Sequence, residues 1–327
     1  MSTPVPPKMP YVRLGNSGLK VSKIVLGCMS YGDKEWFPWV LDEEEGIKHI
    51  KAAYDAGIQS FDTANNYSNG QSEIILGKAI KKLNLPRDEI VVMTKLFFVS
   101  ADTAGENLLT TSADIDQRGY VNRHGLSRKN VFQSVQNSLK RLQLDYIDLL
   151  QCHRFDSDTP IEETMQALHD VVQAGYVRYI GMSSCAAWQY YAISHNITPF
   201  ISMQNAYNLL YREEEREMMP TLKHLGVGCI PWSPLCGGFL ARPLNKRTVR
   251  GRDIVNRVEE LAEKKGVSMA QVALAWSWYK EPVSAPIIGS TSLDKLHDCI
   301  AALNVQLSEE DIKFLEEPYK PKPTLFI

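Results

Sequence analysis

Four side chains that can move a proton onto an oxygen atom follow short apolar runs in the first half of the chain. Asp62 follows IQSF, Tyr67 lies five residues later in a polar stretch, Lys95 ends IVVMTK and His153 ends YIDLLQCH. Tyrosine is a poor proton donor near neutral pH, because its ordinary pKa is about 10. A neighbouring ammonium would lower that pKa, and an imidazole could share the proton. This set suits the protonation of a developing alkoxide when hydride attacks a carbonyl group.

Asp62 and Lys95 are expected to form an ion pair. A buried lysine without a partner tends to lose its proton, and its effect on Tyr67 would then vanish. Each residue has a structural alternative when it is taken singly. Asp62 could form a turn, Lys95 could be a surface residue, and His153 could be a buried histidine whose hydrogen bonds are all made within the core. Their conjunction at three successive strand ends favours catalysis. The polar residues around the tyrosine are assigned to turn formation, namely Asn65, Asn66, Ser68 and Gly70.

The elements that must position these side chains follow from short apolar runs that alternate with amphipathic helical patterns, which is typical of repeated βα units. Eight runs are predicted as strands: 23–27, 58–64, 90–95, 146–153, 179–184, 200–205, 227–233 and 285–290. Eight strands, each followed by a helix, close most economically as an α/β fold of the (β/α)8 TIM barrel type, whose strand ends share one mouth. An open doubly wound sheet is the competitor, but KIVLGCMSYG lacks its G-x-G-x-x-G signal.

Helix boundaries are predicted from capping residues. Thr159 is expected to cap a helix that has Pro160 in its first position and ends at Gly175. Glu162 would complete a capping box with Thr159. Two further helices are expected to begin at Asp42 and Ser127.

Two segments lie outside the βα repeat. The stretch YVRLGNSGLKVSK, before the first barrel strand, predicts a β-hairpin that closes the barrel floor. The polar residues 96–126, after the third barrel strand, predict a loop that overhangs the mouth. No long linker divides the chain, so residues 1–327 are expected to form a single domain.

Composition indicates an ordinary folded protein with small-molecule partners. The 327 residues are 44% hydrophobic and carry a formal net charge of −2, which attracts neither nucleic acid nor an anionic membrane. No apolar run approaches the roughly 18 residues of a membrane span, and the start lacks the pattern of a signal peptide. Six cysteines lack C-x-x-C spacing and are expected to be buried free thiols: Cys28, Cys152, Cys185, Cys229, Cys236 and Cys299. We therefore expect a cytoplasmic protein without a metal site.

Several motifs resemble those of the aldo-keto reductases. They are DTANNYSNGQSEIILGKA, VVMTK, YIDLLQCHRFD, YIGMSS, SMQNAYNLLYREEE and IPWSPLCGG, and the resemblance runs from about residue 11 to the C-terminus. The chain is most similar to the fungal aryl-alcohol dehydrogenase and hemiacetal-ester reductase branch. The resemblance implies a (β/α)8 barrel, NADPH-dependent reduction of aldehydes and ketones, and a catalytic tetrad of Asp62, Tyr67, Lys95 and His153.

The resemblance also implies where NADPH binds. Ser183, Ser184 and Gln204 would hold the nicotinamide carboxamide, although Ser184 departs from the usual Asn and reaches less far. Trp232 would stack on the nicotinamide, with core packing as its alternative role. The implied cofactor positions are Gly27, Asp62, Ser183, Ser184, Gln204, Trp232, Ser233, Leu235, Gly237, Ser290, Ser292 and Lys295. The last three belong to the site for the adenosine 2′-phosphate, near a helix start.

Three departures from the family pattern bear on the cofactor. Gly289 stands where many members carry a phosphate-binding Lys, and Cys299 stands where an Asn commonly contacts adenine. The loop 241–253 is shorter than in similar proteins, and its basic residues would either attract phosphates or simply be solvated. NADPH is still expected over NADH.

The substrate pocket is expected to be aromatic and to suit aryl or other flat carbonyl compounds. Its predicted wall consists of Tyr31, Trp36, Phe97, Phe98 and Arg154, each of which could instead pack within a loop. Two alternatives to a carbonyl reductase remain open. One is a redox-sensing, NADPH-binding regulatory subunit that resembles the potassium-channel β subunits. The other is a Schiff-base aldolase that uses Lys95, which pairing with Asp62 would disfavour.

Overall fold

The computed structural model describes residues 9–109, 114–183, 197–244 and 251–324. The strands within these residues are β1 Tyr11–Arg13, β2 Lys20–Ser22, β3 Val25–Gly27, β4 Ser60–Asp62, β5 Val91–Leu96, β6 Ile147–Cys152, β7 Val177–Met182, β8 Phe200–Met203, β9 Gly228–Cys229 and β10 Ile287–Ile288. The α-helices in the same ranges are α1 Glu43–Asp55, α2 Gln71–Lys82, α3 Arg128–Leu142, α4 Ile161–Gln173, α5 Met218–Leu225, α6 Arg252–Lys265, α7 Met269–Tyr279, α8 Leu293–Ala301 and α9 Glu309–Glu316.

The eight strands β3 to β10 form one parallel sheet in the order β10-β3-β4-β5-β6-β7-β8-β9. Hydrogen bonds join its two ends: Ser284 N donates to Cys229 O at 2.7 Å, and Ile287 N donates to Pro231 O at 2.9 Å. Each barrel strand overlaps its predicted run. Strands β3 to β9 are neighbours in chain order and β10 returns to pair with β3, an order that a doubly wound sheet does not have. The predicted (β/α)8 barrel is confirmed.

Inward-facing side chains form an apolar layer in the lower part of the barrel, made by Val25, Val91, Met93, Leu149, Ile230 and Ile287. Because side chains alternate along a strand, Lys95 points to the same side as Met93, and Gln151 to the same side as Leu149. The interior therefore changes from apolar to polar towards the carboxyl ends of β5 and β6.

The N-terminal hairpin closes the floor of the barrel, as predicted. Strands β1 and β2 pair antiparallel, and Leu14 and Val21 are fully buried against the apolar layer. Gly15 has a left-handed backbone, and a Cβ atom there would lie 2.3 Å from the carbonyl oxygen of Gly226. Glycine therefore allows the hairpin turn to approach the start of β9, where Asn16 N donates to the same oxygen.

Two of the three predicted helix starts are confirmed. The side chains of Asp42 and Ser127 accept a backbone N–H in the first turns of α1 and α3. The prediction that Thr159 caps α4 was wrong, because the N-cap is Pro160 and has no side-chain hydrogen bond. The hydroxyl of Thr159 instead donates to Asp156 Oδ2 at 2.7 Å, so a carboxylate competes successfully for the capping group.

The five cysteines within the described ranges are free, and Cys236 is the one among them that is half-buried rather than buried. Cys185 lies outside these ranges. A search of the same residues finds no helix with the length and apolar character needed to cross a membrane.

Candidate active site

Three neighbouring strands bring the predicted tetrad together. Asp62 is the last residue of β4, Lys95 is the second-last residue of β5, and His153 directly follows β6. Tyr67 begins a short 3-10 turn after β4. All four side chains are buried. The parallel register of β4, β5 and β6 places their carboxyl ends side by side at the barrel mouth.

Lys95 is the centre of the contacts within the tetrad. Its Nζ donates to Asp62 Oδ2 at 2.5 Å, to the Thr63 carbonyl at 2.8 Å and to the Tyr67 hydroxyl at 3.3 Å. The ring of His153 lies edge to face with that of Tyr67, with centroids 5.8 Å apart. The expected ion pair is present, whereas His153 meets the tyrosine through a ring contact rather than a hydrogen bond.

The contacts keep Lys95 charged. Burial opposes the ammonium, but Asp62 and Tyr67 together outweigh burial, so the pKa of Lys95 lies above its ordinary value. A fully buried lysine without such partners would tend to lose its proton. The Lys95 side chain therefore holds a positive charge against the tyrosine hydroxyl.

Tyr67 departs from the expectation of a lowered pKa. Burial raises the pKa of Tyr67 more than the Lys95 ammonium lowers it, and Asp62 adds to the increase. The net direction is upward, so the phenol keeps its proton at neutral pH. Lys95 and, more weakly, Arg154 still favour the phenolate and would stabilise it once the proton has left.

His153 is neutral at pH 7. Burial, followed by the positive charges of Lys95 and Arg154, holds the pKa of His153 well below its ordinary range. Its Nδ1 is buried and has no hydrogen-bond partner among the described residues. The imidazole can therefore donate or accept a hydrogen bond, but it does not add a second cation beside Lys95.

Two glutamines, Gln151 and Gln204, hold the oxygen of Asp62 that faces away from the lysine. Nε2 of Gln151 donates to Asp62 Oδ1 at 3.1 Å, and Nε2 of Gln204 donates to the same atom at 3.0 Å. Sequence reasoning missed Gln151, which is fully buried. The signal was available, because Gln151 lies two residues before His153 in an apolar strand and so faces the same side.

The turn that carries Tyr67 is held from both sides. Ser68 and Asn69 have left-handed backbones, and the hydroxyl of Ser68 accepts the backbone N–H of Asp33 at 3.1 Å. The amide nitrogen of Asn69 donates to the carbonyls of Thr103, Ala104 and Glu106, and its oxygen accepts Ala101 N. The turn is therefore fixed to the loop after β5, and Tyr67 with it.

The predicted nicotinamide positions directly follow β7 and β8 or lie in the segment after β9. Ser183 is buried, and its hydroxyl donates to the backbone carbonyl of Gln204 at 2.6 Å. Ser184 lies outside the described residues. Trp232 is half-buried, and its backbone N–H donates to Asn205 O at 2.9 Å. Gln204 thus belongs both to this group and to the surroundings of Asp62.

The backbone of the turn after Trp232 is accessible, as the backbone of a phosphate-binding turn must be. Ser233 and Gly237 have left-handed backbones, and Ser233 Oγ accepts Gly237 N at 3.2 Å. A Cβ atom at Gly237 would meet nothing within 4 Å. Leu235 is half-buried between them. Gly27, by contrast, is needed for strand packing, since a Cβ atom there would lie 2.9 Å from Ile287 Cγ2.

The predicted 2′-phosphate site lies at the start of α8. Ser292 is the N-cap residue, and its side chain makes no capping hydrogen bond. Ser290 Oγ donates to Ser292 O at 2.7 Å, and Lys295 is exposed. Cys299 is buried within α8, and burial raises the pKa of its thiol to about 12. A Cβ atom at Gly289 would lie at an ordinary contact distance, 3.4 Å, from Ser30 Oγ.

The loop 241–253 is only partly described. Residues 245–250, with Lys246, Arg247 and Arg250, lie outside the described ranges. Whether the basic residues of this loop attract the phosphates of the cofactor therefore stays a prediction.

A cavity of about 610 Å³ opens beside the tetrad. Trp36, Phe97, Phe98 and Arg154 line it, as predicted. Tyr31 does not, because it is fully buried and packs its ring against His49 of α1 at 5.8 Å. The other lining residues are Asn66, Asn69, Val99, Leu108, Leu109, Ile115 and His124. Two of the lining residues touch the tetrad, since the Phe98 ring packs against His153 and the Trp36 ring lies near Tyr67. A second, more open groove of about 700 Å³ lies between residues 212–216 and 309–321.

Metal ligands do not cluster in the part of the chain that the structure describes, which holds no group of three or more His, Cys, Asp or Glu side chains suited to an ion.

Comparison with known proteins identifies the family. A model of the Aldo/keto reductase family matches residues 23–320. Versiconal hemiacetal acetate reductase of Aspergillus parasiticus is 48% identical, over 96% of this chain and 98% of that protein. A provisionally named aryl-alcohol dehydrogenase of Schizosaccharomyces pombe is 49% identical, over 96% of each chain. An aldo-keto reductase of Alternaria alternata is 46% identical, over 96% of this chain and 92% of that protein.

Proposed function

This chain belongs to the aldo/keto reductase family and is an oxidoreductase that acts on small-molecule carbonyl substrates, and from that premise we propose its cofactor, proton donor and substrate class. It reduces aryl or other flat aldehydes and ketones to alcohols with NADPH, and Tyr67 is the general acid. The observation that carries the proposal is the buried chain of contacts from Asp62 through Lys95 to Tyr67.

The protonation step follows from the tetrad. Tyr67 donates its phenolic proton to the carbonyl oxygen as negative charge develops there. Lys95 stabilises the phenolate left behind, since its Nζ lies 3.3 Å from that oxygen. Asp62, held by Gln151 and by Gln204, keeps Lys95 protonated. Neutral His153 donates a hydrogen bond to the carbonyl oxygen and orients it against the phenol.

The residues at the ends of β7 to β10 fit a nicotinamide cofactor. The family uses NAD(P)H, which supplies a hydride when bound. Two features support such a ligand: the free space beside the Gly237 backbone and the Ser292 side chain, which makes no capping hydrogen bond. Ser183, Gln204 and Trp232 would hold the nicotinamide.

We favour NADPH over NADH because of the start of α8. Ser292 and the backbone N–H groups of the first turn suit a phosphate, and Lys295 adds a positive charge. Gly289 stands where many family members carry a lysine, so one positive charge is missing beside this proposed phosphate site. The preference is therefore expected to rest on fewer contacts than usual.

The two alternatives receive less support. A Schiff-base aldolase needs a neutral amine, whereas Asp62 and Tyr67 raise the pKa of Lys95. The three relatives are named for reductase or dehydrogenase activities, which gives no support to a regulatory subunit.

Two further proposals concern the whole chain. We propose that residues 1–327 act as one domain, because ends of strands from both halves of the chain meet at one mouth, and a single cooperative unfolding transition would support it. We also propose a cytoplasmic location, where reducing conditions preserve free thiols such as the five described ones. Imaging of a fluorescent fusion would test this location.

The function is tested with Tyr67→Phe, which removes the acidic hydroxyl and little else. Turnover of an aryl aldehyde is expected to fall at least about a thousand-fold, whereas the Kd for NADPH, measured by fluorescence titration, stays unchanged. Tyr31→Phe is a matched control, because the Tyr31 hydroxyl is also buried but lies outside the site. A Tyr67→Phe enzyme with a near-normal rate would contradict the proposal.

A further inference from the structure

The cavity beside the tetrad is larger than a one-ring carbonyl compound requires. Its volume is about 610 Å³, which lies in the middle of the range of about 300–1,000 Å³ that holds ligands of drug size. Phe98, on its wall, packs against His153 with ring centroids 5.1 Å apart. No tetrad residue lines the cavity itself, but the contact of Phe98 with His153 places its wall next to the tetrad.

Part of the cavity lining is aliphatic. The segment 97–126 after β5 contributes Val99, Leu108, Leu109 and Ile115 to its lining. Phe98 packs against His153 of the tetrad. The other lining residues are Trp36, Phe97, Asn66, Asn69, His124 and Arg154. An aliphatic wall of this kind binds an apolar group by removing it from water, without demanding a particular hydrogen bond.

The described parts of this segment, residues 97–109 and 114–126, are held in place by contacts within the protein. Four hydrogen bonds join Asn69 to residues 101–106. Asn107 Nδ2 donates to the Trp36 carbonyl at 3.0 Å, and Asn65 Nδ2 donates to the Phe98 carbonyl at 2.9 Å. The segment also has its own small core around Val99, Ala101 and Tyr120.

The cavity is separate from the positions proposed for the cofactor. Its walls come from the segments after β3, β4, β5 and β6. The proposed cofactor positions lie mainly at the ends of β7 to β10, on the other half of the mouth. A group in the aliphatic part of the cavity would therefore belong to the substrate.

We infer that the aliphatic wall of Val99, Leu108, Leu109 and Ile115 is a second substrate subsite. It binds an apolar ring or alkyl chain attached to the ring that carries the reacting carbonyl, so that extended aldehydes and ketones are preferred to one-ring compounds. This inference rests on the proposed function, since the extended compound is the substrate of the same site.

The first test compares benzaldehyde with biphenyl-4-carbaldehyde, using wild-type protein and NADPH. Burial of the second ring is expected to raise kcat/KM at least about ten-fold. Equal kcat/KM values for the two aldehydes would overturn the inference while leaving the proposed function intact. Turnover of neither aldehyde, nor of a wider carbonyl panel, would instead count against the proposed function.

The second test changes the wall at Leu109, which is 41% exposed and can be truncated with little risk to folding. Leu109→Ala is expected to lower kcat/KM for biphenyl-4-carbaldehyde about three-fold or more and to leave benzaldehyde unaffected. Val121→Ala is the matched control, because Val121 lies in the same segment and is 54% exposed but does not line the cavity. An unchanged ratio between the two aldehydes in Leu109→Ala would overturn the inference.

A binding measurement tests the subsite independently of turnover. Biphenyl-4-carboxamide and benzamide, which are not reduced, are titrated calorimetrically into wild-type protein and Leu109→Ala. Tighter binding of the biphenyl compound that weakens in the variant supports the subsite even without turnover. Equal binding of the two amides to wild-type protein would overturn it.

Discussion

The two halves of the barrel mouth differ in how their charged side chains are held. In the half built on β3 to β6, the Lys95 and Asp62 side chains are buried and bound to each other. In the half built on β7 to β10, Lys295 is exposed and Ser292 makes no capping bond. The protein alone therefore holds the charged pair beside the proton donor in one arrangement, whereas the lysine proposed to bind phosphate stays exposed to solvent.

The largest effect on turnover is expected from Lys95→Met, which removes the positive charge from the half of the mouth built on β3 to β6. Turnover should fall about a thousand-fold or more, because the phenolate of Tyr67 loses its stabilising cation. The variant should also lose about 3–5 kcal/mol of stability, because Asp62 is left buried without its partner. Steady-state kinetics and urea denaturation measure the two effects.

The double variant Asp62→Asn/Lys95→Met distinguishes these two causes. It removes the unpaired charge, so most of the stability should return while turnover stays lost. Recovery of turnover together with stability would show that Lys95 acts through folding alone, and the comparison of the two halves would break down.

A smaller effect, on cofactor binding, is expected from Gly289→Lys in the half of the mouth built on β7 to β10. A Cβ atom fits there at an ordinary contact distance, and an added ammonium beside the proposed phosphate site should lower the Kd for NADPH about ten-fold. The Kd for NADH and the value of kcat should not change. Gly289→Met controls for side-chain length, and equal effects of the two variants on NADPH would argue against a phosphate site here.

The smallest effect concerns the pH dependence of stability. The pKa of His153 is lower in the folded protein than its ordinary value of about 6.5. Below about pH 6.5 the unfolded chain therefore binds a proton at this residue that the folded chain does not bind. The free energy of unfolding should therefore fall as the pH drops below about 6.5, by up to about 1.4 kcal/mol per pH unit from this residue. Urea denaturation between about pH 7 and 5 should show a shallower fall in His153→Asn. An equal change in His224→Asn, which replaces an exposed histidine, would count against this assignment.

The barrel and the location of the tetrad were predictable because both follow from periodicity. Parallel strands buried on both faces read as apolar runs, so a polar residue at the end of a run marks the mouth. Gln151 was equally predictable, since it occupies an inward position in such a run.

Other features depend on side-chain direction and on burial, which a linear pattern does not contain. Tyr31 follows a strand end as Trp36 does, yet it turns towards α1, where Gly46 leaves room for its ring. Thr159 has the residue type of a cap, but Asp156 competes for its hydroxyl. The upward direction of the Tyr67 pKa results from burial, which outweighs the nearby ammonium that the sequence does reveal.

The hairpin at the floor of the barrel affects how the tetrad meets water. Leu14 and Val21 seal the lower end, and an apolar layer separates them from Lys95. Water that hydrates the tetrad must then arrive from the mouth, where substrate and nucleotide also enter. Lys95 is already fully buried, whereas Tyr67 and His153 keep a small exposed fraction. Occupation of the mouth should therefore remove the last water from these two rings, and the attraction of the Lys95 ammonium for the developing phenolate should strengthen when the reactants are in place.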